Sequence, residues 1–269
     1  MRQLPTFALH QCRLFFIALQ FFTRLPIPRW VGFEPDWLHH ASRYFPLVGS
    51  VVAAIVAAVY ALAAWLWPAP VAVLLATAAG IYATGAFHED GFADMCDGFG
   101  GGMTPARVLE IMQDSRIGAY GAIGIGCLLA LKCLTLTLLP PGAVVAALFL
   151  AHPLSRLATS ALIWRMEYAR AEGKAKPLAQ EMTHAEFAIA ALGAALPVAL
   201  LGLGAYLPWS AILGGALAAA LAALWLARTF AHRLGGYTGD CLGAVQQVTE
   251  VVLYLAVLAA CQHGGSACA

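Results

Sequence analysis

Seven apolar runs constrain this chain more than any other feature of its sequence. They lie at 45–67, 70–87, 117–139, 142–163, 186–207, 209–231 and 242–261. Each is long enough for a helix to cross the hydrocarbon core of a bilayer, which takes roughly 17–25 residues. Lipid offers no partner to a backbone N–H or C=O, so such a run folds as a helix whose hydrogen bonds are internal. The predicted fold class is therefore all-α: a polytopic integral membrane helical bundle of six to seven transmembrane helices, six if one run is re-entrant. The stretch from Phe7 to Leu25 is also apolar, but His10, Arg13, Gln20 and Arg24 fall largely along one helical side. That pattern predicts an N-terminal helix lying on the membrane or re-entering it. No small-residue cleavage pattern marks a signal peptide there.

The composition points the same way. Of the 269 residues, 61% are hydrophobic and 11% are charged, against roughly a quarter charged in a soluble domain. The partner this implies is the lipid bilayer. A formal net charge of +1 gives no basic footprint, and no nucleic acid partner is expected. The seven cysteines are scattered, odd in number and without a Cys-x-x-Cys pair, so they read as small hydrophobes rather than as a zinc site or a disulfide framework. With no internal repeat and no low-complexity linker, residues 1–269 form a single domain.

The turns between the runs are of two kinds. Pro68-Ala69-Pro70, Pro140-Pro141-Gly142 and Leu207-Pro208 carry no charge. On the opposite side lie Arg24, Arg29 and Arg43, an acidic stretch with Arg107 and Arg116, the loop from Arg165 to Lys176, and Arg228, Arg233 and Asp240. The positive-inside rule makes that side cytoplasmic, so a multi-pass protein of the cell (inner) membrane is expected to face the cytoplasm with its charges. Two charges fall within the runs: Lys132 is expected to snorkel outward, and Glu250 to line the bundle interior.

The acidic stretch contains His88, Glu89, Asp90, Asp94 and Asp97. If the preceding apolar helix continues through it, Asp90, Asp94 and Asp97 at i, i+4 and i+7 share one face. Three carboxylates on one face repel unless a cation joins them, and hard oxygen ligands suit Mg²⁺, which fills its octahedron with water and phosphate oxygens. The alternative is a solvated acidic loop. Small residues at Gly91, Ala93 and Gly98 favour a face approached closely by phosphates. His88 admits three readings: an interfacial histidine at a span end, a metal ligand or a general base.

Other candidates come from the same side. Asp114-Ser115-Arg116 precedes the third run, where Asp or Ser would cap a helix whose free N–H groups, with Arg116, suit a phosphate. In Gly235 to Asp240 the glycines bend the chain, and Asp240 either caps the last span or adds a metal ligand. Arg24 and Arg43 are topological anchors or phosphate contacts. Arg156 and Asp240 come from other span ends at a similar depth, and a bundle can bring them beside the acids. The polar loop from Arg165 to Glu186 reads as a solvated connection able to cover a bound substrate.

Taken together, His88-Glu89-Asp90-Gly91, Ala93-Asp94, Asp97-Gly98, Asp114-Ser115-Arg116-Ile117-Gly118 and Thr238-Gly239-Asp240 with Leu242-Gly243-Ala244 resemble the cobalamin synthase family, adenosylcobinamide-GDP ribazoletransferase. Thr23-Arg24-Leu25-Pro26 and Phe45-Pro46-Leu47-Val48-Gly49 extend the resemblance along nearly the whole chain. It implies an Mg²⁺-dependent integral membrane transferase that joins adenosylcobinamide-GDP to α-ribazole or α-ribazole 5′-phosphate and releases GMP. His88, Asp90, Asp94 and Asp97 are then the catalytic candidates, with Asp90, Asp94 and Asp97 holding the metal. Arg24, Arg43, Glu89, Asp114, Ser115, Arg116, Arg156, Gly239, Asp240 and Glu250 are the substrate-binding candidates. CDP-alcohol phosphotransferases also carry metal-binding acids at helical spacing, in an Asp-Gly-x-x-Ala-Arg motif; Asp90-Gly91-x-Ala93-Asp94 differs in spacing and lacks the arginine. A cation-coupled transporter is a third class, but its acids would be expected near mid-bilayer.

Overall fold

A computed structural model describes residues 3–169 and 182–263. Among these residues the secondary structure is helical, with no strand and one isolated bridge between Tyr168 and Tyr237. Residues 170–181, the middle of the loop expected to cover a substrate, lie outside the described residues.

The chain begins with α1 (Gln3–Phe22) and the short α2 (Pro35–Ala41). The bundle follows: α3 (Phe45–Ala64), α4 (Ala69–Thr84), α5 (Phe87–Gly101), the short α6 (Pro105–Ile111), α7 (Ala119–Thr137), α8 (Pro141–Arg165), α9 (His184–Leu203), α10 (Trp209–Leu234) and α11 (Gly239–His263). Among the described residues, six helices are long and apolar enough to cross a membrane: α3, α7, α8, α9, α10 and α11. Ahead of them, Phe7–Phe22 of α1 is a shorter apolar helix. Pro68, Pro140 and Pro208 stand in extended conformation directly before α4, α8 and α10, where a fixed φ and a missing N–H suit a helix start. These turns define an apolar end of the bundle, and the charged turns a polar end.

The outer faces show what surrounds the bundle. Leu192, Leu196 and Leu200 on α9, and Leu213, Leu217 and Leu221 on α10, are exposed at i, i+4 spacing. Stripes of this kind are lipid-facing in a protein whose polar side chains point inward. Of the buried polar residues, α8 contributes His152, Ser155, Arg156, Thr159 and Ser160, and α11 contributes Gln246, Gln247, Thr249 and Glu250, more than any other helix. α11 packs against α5, α7, α8 and α10, while α8 packs against α3, α9 and α11.

The predicted run 70–87 does not continue into the acids. α4 stops at Thr84, and the chain turns by 89° into α5. Two successive left-handed residues, Gly85 at φ 66° and Ala86 at φ 59°, make the turn, and glycine takes the first of them without a Cβ penalty. The Arg24 N–H donates to the Ala83 carbonyl at 2.8 Å, and the Arg24 guanidinium lies over the Tyr82 ring. α5 therefore lies across the polar end instead of prolonging a span. Gly91 and Gly243 let it cross α11 closely: a Cβ on Gly91 would meet Asp240 Cα at 3.0 Å, and one on Gly243 the His88 carbonyl oxygen at 3.0 Å.

Two other expectations are corrected. Lys132 does not snorkel; it is buried and paired inside the bundle. Cys261, near the apolar end of α11, is disulfide-bonded, so the cysteines are not all simple hydrophobes.

Candidate active site

α5 has two working faces. Asp90 is exposed, Asp94 half-buried and Asp97 buried along one of them. Asp97 is occupied: its carboxylate accepts the Gly118 N–H at 2.7 Å and the Gly121 N–H at 2.8 Å. These are N–H groups at the start of α7, unpaired within that helix, and a carboxylate there is favoured by charge and dipole alike. Asp97 thus ties α5 to α7, while Asp90 and Asp94 lie one turn apart toward the outside. His88 is on the opposite side of α5, buried, with its ring stacked on Phe22 at 5.5 Å. It does not share the acid face, so the reading as a general base beside those acids loses its geometric support.

Beneath α5 lies a buried polar cluster. Lys132 Nζ of α7 is 2.5 Å from Glu250 Oε1 of α11, and His152 Nδ1 of α8 is 3.4 Å from Glu250 Oε2. Tyr254 Oη donates to Glu250 Oε1 at 3.0 Å, and Gln246 Nε2 donates to Glu250 Oε2. Gln247 Nε2 donates both to Gln246 Oε1 and to Glu89 Oε1, each at 2.9 Å. Arg156 Nη1 donates to the His152 carbonyl at 3.1 Å. Lys132 and Arg156 balance Glu89 and Glu250, which is how charges persist in a lipid-surrounded interior. The candidates Glu89, Arg156 and Glu250 are brought together here with His88, whereas Lys132, His152, Gln246 and Gln247 were missed. A signal for them exists: His152 and Arg156 are i, i+4 in one apolar run, and Gln246 and Glu250 are i, i+4 in another.

The remaining candidates are placed as follows. Arg43 forms an ion pair with Glu186, which also closes a capping box with Thr183 at the start of α9; it anchors the N-terminal segment. Gly239 opens α11, and the Thr238 hydroxyl accepts the Cys241 N–H at 3.3 Å, so Thr238 rather than Asp240 supplies the cap. Asp240 sits where α11 crosses Gly91 of α5. Asp114 does not cap α7, whose N-cap is Gly118. It instead accepts from Arg116 Nε at 3.0 Å and Nη2 at 2.7 Å, and Ser115 is exposed between them. The Arg116 guanidinium holds the Asp114 carboxyl down at about 2, so this pair stays ionised throughout the neutral range.

The Asp114–Arg116 pair lines an open pocket at the polar end with Asp97, Arg107, Glu110 and Tyr120. Arg116 is highly exposed, with its planar fork held in place by Asp114, whereas Arg107 pairs with Glu110 on its own helix. Arg116→Lys is expected to lower kcat/KM about ten- to a hundredfold, because lysine keeps the charge but not a fork that matches two phosphate oxygens. Arg107→Lys is expected to change it less than about threefold. Steady-state kinetics of the two variants makes the comparison, and equal losses would remove Arg116 from substrate binding.

Among the described residues, no group of three His, Cys, Asp or Glu side chains is set to enclose a metal ion. Mg²⁺ asks for less, since one or two carboxylates suffice when water and phosphate oxygens complete the octahedron. Asp90, exposed, and Asp94, half-buried one turn further on, supply two carboxylates of that kind. Asp97, committed to the α7 backbone, fits that requirement less well.

The family model for cobalamin-5-phosphate synthase matches residues 14–258. An adenosylcobinamide-GDP ribazoletransferase of Leptothrix cholodnii is 47% identical over 259 residues, covering 93% of this chain and 97% of that one. Proteins of the same name from Ralstonia nicotianae and Shewanella frigidimarina are 49% and 45% identical, covering 92% and 93% of this chain and 95% and 96% of theirs. No solved structure matches. A match that takes in α5, the start of α7 and the α11 crossing together places the chain in the cobalamin-5-phosphate synthase family.

Proposed function

We propose that this transferase of cobalamin biosynthesis joins adenosylcobinamide-GDP to α-ribazole or its 5′-phosphate at the polar end of the bundle. The ribose hydroxyl oxygen attacks the phosphorus on the cobinamide side of the diphosphate. The bond to the second phosphate breaks, and GMP leaves with the electron pair. The observation that carries this reading is α5, laid across the polar end with Asp90 and Asp94 one turn apart on its open face.

Each part of the site has a task. Mg²⁺ held by Asp90 and Asp94 would supply positive charge to the diphosphate. Asp97 fixes the register of α5 against α7, so that the acid face keeps its place while the substrate changes charge. Arg116 offers its fork to phosphate oxygens, and Asp114 orients that fork. His88 packs α1 onto α5, and the proton of the attacking hydroxyl passes to a carboxylate of the acid face. Within the deep cluster Lys132 is paired with Glu250, and the acids proposed to hold the metal lie at the polar end, away from the mid-bilayer depth expected of a transporter's ion-binding acids.

Membranes containing the protein, supplied with adenosylcobinamide-GDP and α-ribazole, are expected to form cobalamin and GMP with Mg²⁺ and neither product with a chelator. Product formation that ignores the chelator would overturn the metal; no product in either condition would overturn the reaction.

The orientation proposed is multi-pass in the cell (inner) membrane with α5 on the cytoplasmic side. The charge asymmetry of the turns supports it, as does a disulfide-bonded Cys261 toward the opposite end, since disulfides persist in oxidising compartments. In a background without other reactive thiols, Leu138→Cys at the apolar end is expected to react with an impermeant maleimide on intact cells. Met103→Cys, on the exposed turn after α5, should react only after lysis. The opposite pattern would invert the topology.

A further inference from the structure

Among the described residues, five buried side-chain polar atoms have no hydrogen-bond partner, and four of them belong to the cluster beneath α5: Glu89 Oε2, His152 Nε2, Arg156 Nε and Gln247 Oε1. All four residues line one cavity between α3, α4, α5, α7, α8 and α11. A buried polar atom left unpaired is costly, and four around one cavity are not accidental spacing. The cavity has room for about one water molecule.

The donor and acceptor count fits that occupant. Glu89 Oε2 and Gln247 Oε1 can only accept, and Arg156 Nε can only donate. His152 Nδ1 lies 3.3 Å from Arg156 Nη1, a group that donates only, and 3.4 Å from Glu250 Oε2, which only accepts; of the two, the Arg156 contact has hydrogen-bond geometry, so Nδ1 is assigned as the acceptor and Nε2 carries the proton. A water molecule would then accept from Arg156 Nε and His152 Nε2, and donate to Glu89 Oε2 and Gln247 Oε1. Its four bonds would leave none of the four atoms unpaired.

We propose that this cavity is a bound-water site, and that Gln247, with that water, is a positioning residue that fixes Glu89 and hence the adjacent acid face of α5. Glu89 immediately precedes Asp90 in the chain, and Gln247 and the water account for both of its oxygens. Loosening Glu89 frees the start of α5, next to the left-handed turn at Gly85 and Ala86. The consequence for catalysis rests on the function proposed above; the hydration does not.

The test uses the full chain in lipid nanodiscs. Radiolysis by an X-ray pulse makes hydroxyl radicals from bound water, and H₂¹⁸O exchange before the pulse times the water's escape. His152 is expected to be oxidised despite its burial, with slow ¹⁸O uptake, while exposed His184 takes up the label at once and buried Phe230 stays unmodified. Gln247→Leu should abolish the His152 label. It should also lower kcat about tenfold at unchanged KM for both substrates, as loss of a supporting hydrogen bond does. A purely structural role would instead lower the yield of folded protein and leave kcat per folded molecule at the wild-type value, which would overturn the positioning. His152 labelled no more than Phe230 would overturn the water site. A wild-type protein that is hydrated but makes no cobalamin would overturn the function and leave the water site standing.

Discussion

Asp90→Asn and Asp94→Asn are each expected to lower turnover by at least about a hundredfold, with the protein still present in the membrane at its normal level. The size follows from what is removed. Each substitution removes a charged ligand of the Mg²⁺ that Asp90 and Asp94 would hold, and the positive charge such an ion supplies to a developing phosphate anion is worth a factor of about a hundred to a thousand. The substitution changes almost no volume, and neither side chain is part of the bundle core. Asp97→Asn is the instructive contrast, because Asp97 accepts two backbone N–H groups of the α7 turn. An amide retains one acceptor oxygen, so its loss should appear partly as lower thermal stability. The measurement is a steady-state assay on protein quantified in the membrane. Turnover above about a tenth of wild type in both Asp90 and Asp94 variants would remove the carboxylate pair from the site.

Lys132→Met is expected to destabilise the fold by about 3–5 kcal/mol, because it leaves the Glu250 carboxylate buried without the ammonium 2.5 Å away. Glu250→Leu should cost a similar amount, with Lys132 stranded in its turn. The informative variant is the double substitution, Lys132→Met with Glu250→Leu. Replacing both ions of a buried pair by apolar side chains is often close to neutral, whereas breaking the pair is not. The double variant should therefore be more stable than either single one, despite carrying more changes. Thermal unfolding in detergent micelles, followed by loss of monodisperse protein, measures all three. If the single variants unfold at the wild-type temperature, the pair does not hold the bundle together.

These expectations show where the sequence was readable. The spans follow from length and apolarity, because lipid leaves a chain no alternative to the helix, and the charge-free proline turns mark every other helix start. The bend before α5 was not readable in the same way. It is made by one glycine and an alanine in the left-handed region, with no proline to announce it, so the run 70–87 looked continuous with the acids. Periodicity did place Asp90, Asp94 and Asp97 on one face, but it could not show that backbone N–H groups at Gly118 and Gly121 engage the last of them. Lys132 was misread for a related reason. A lone lysine in an apolar run is cheapest at the surface, and the partner that reverses this is a glutamate on another helix. Arg24 and Arg43 were legible as anchors; their partners, the Tyr82 ring and Glu186, required the fold.

The right-angle turn between α4 and α5 also sets a dielectric boundary along the axis of one helix. Asp90 on its outer face sits in water, where a salt concentration near 0.15 M screens charge over about 8 Å. Glu89, one residue away on the inner face, belongs to a cluster that mobile ions do not reach. Ionic strength therefore acts on the two faces separately: it screens the charge of the outer face while leaving the attractions that hold the helix at nearly full strength. A change of salt reaches the outer face of α5 without loosening the scaffold beneath it.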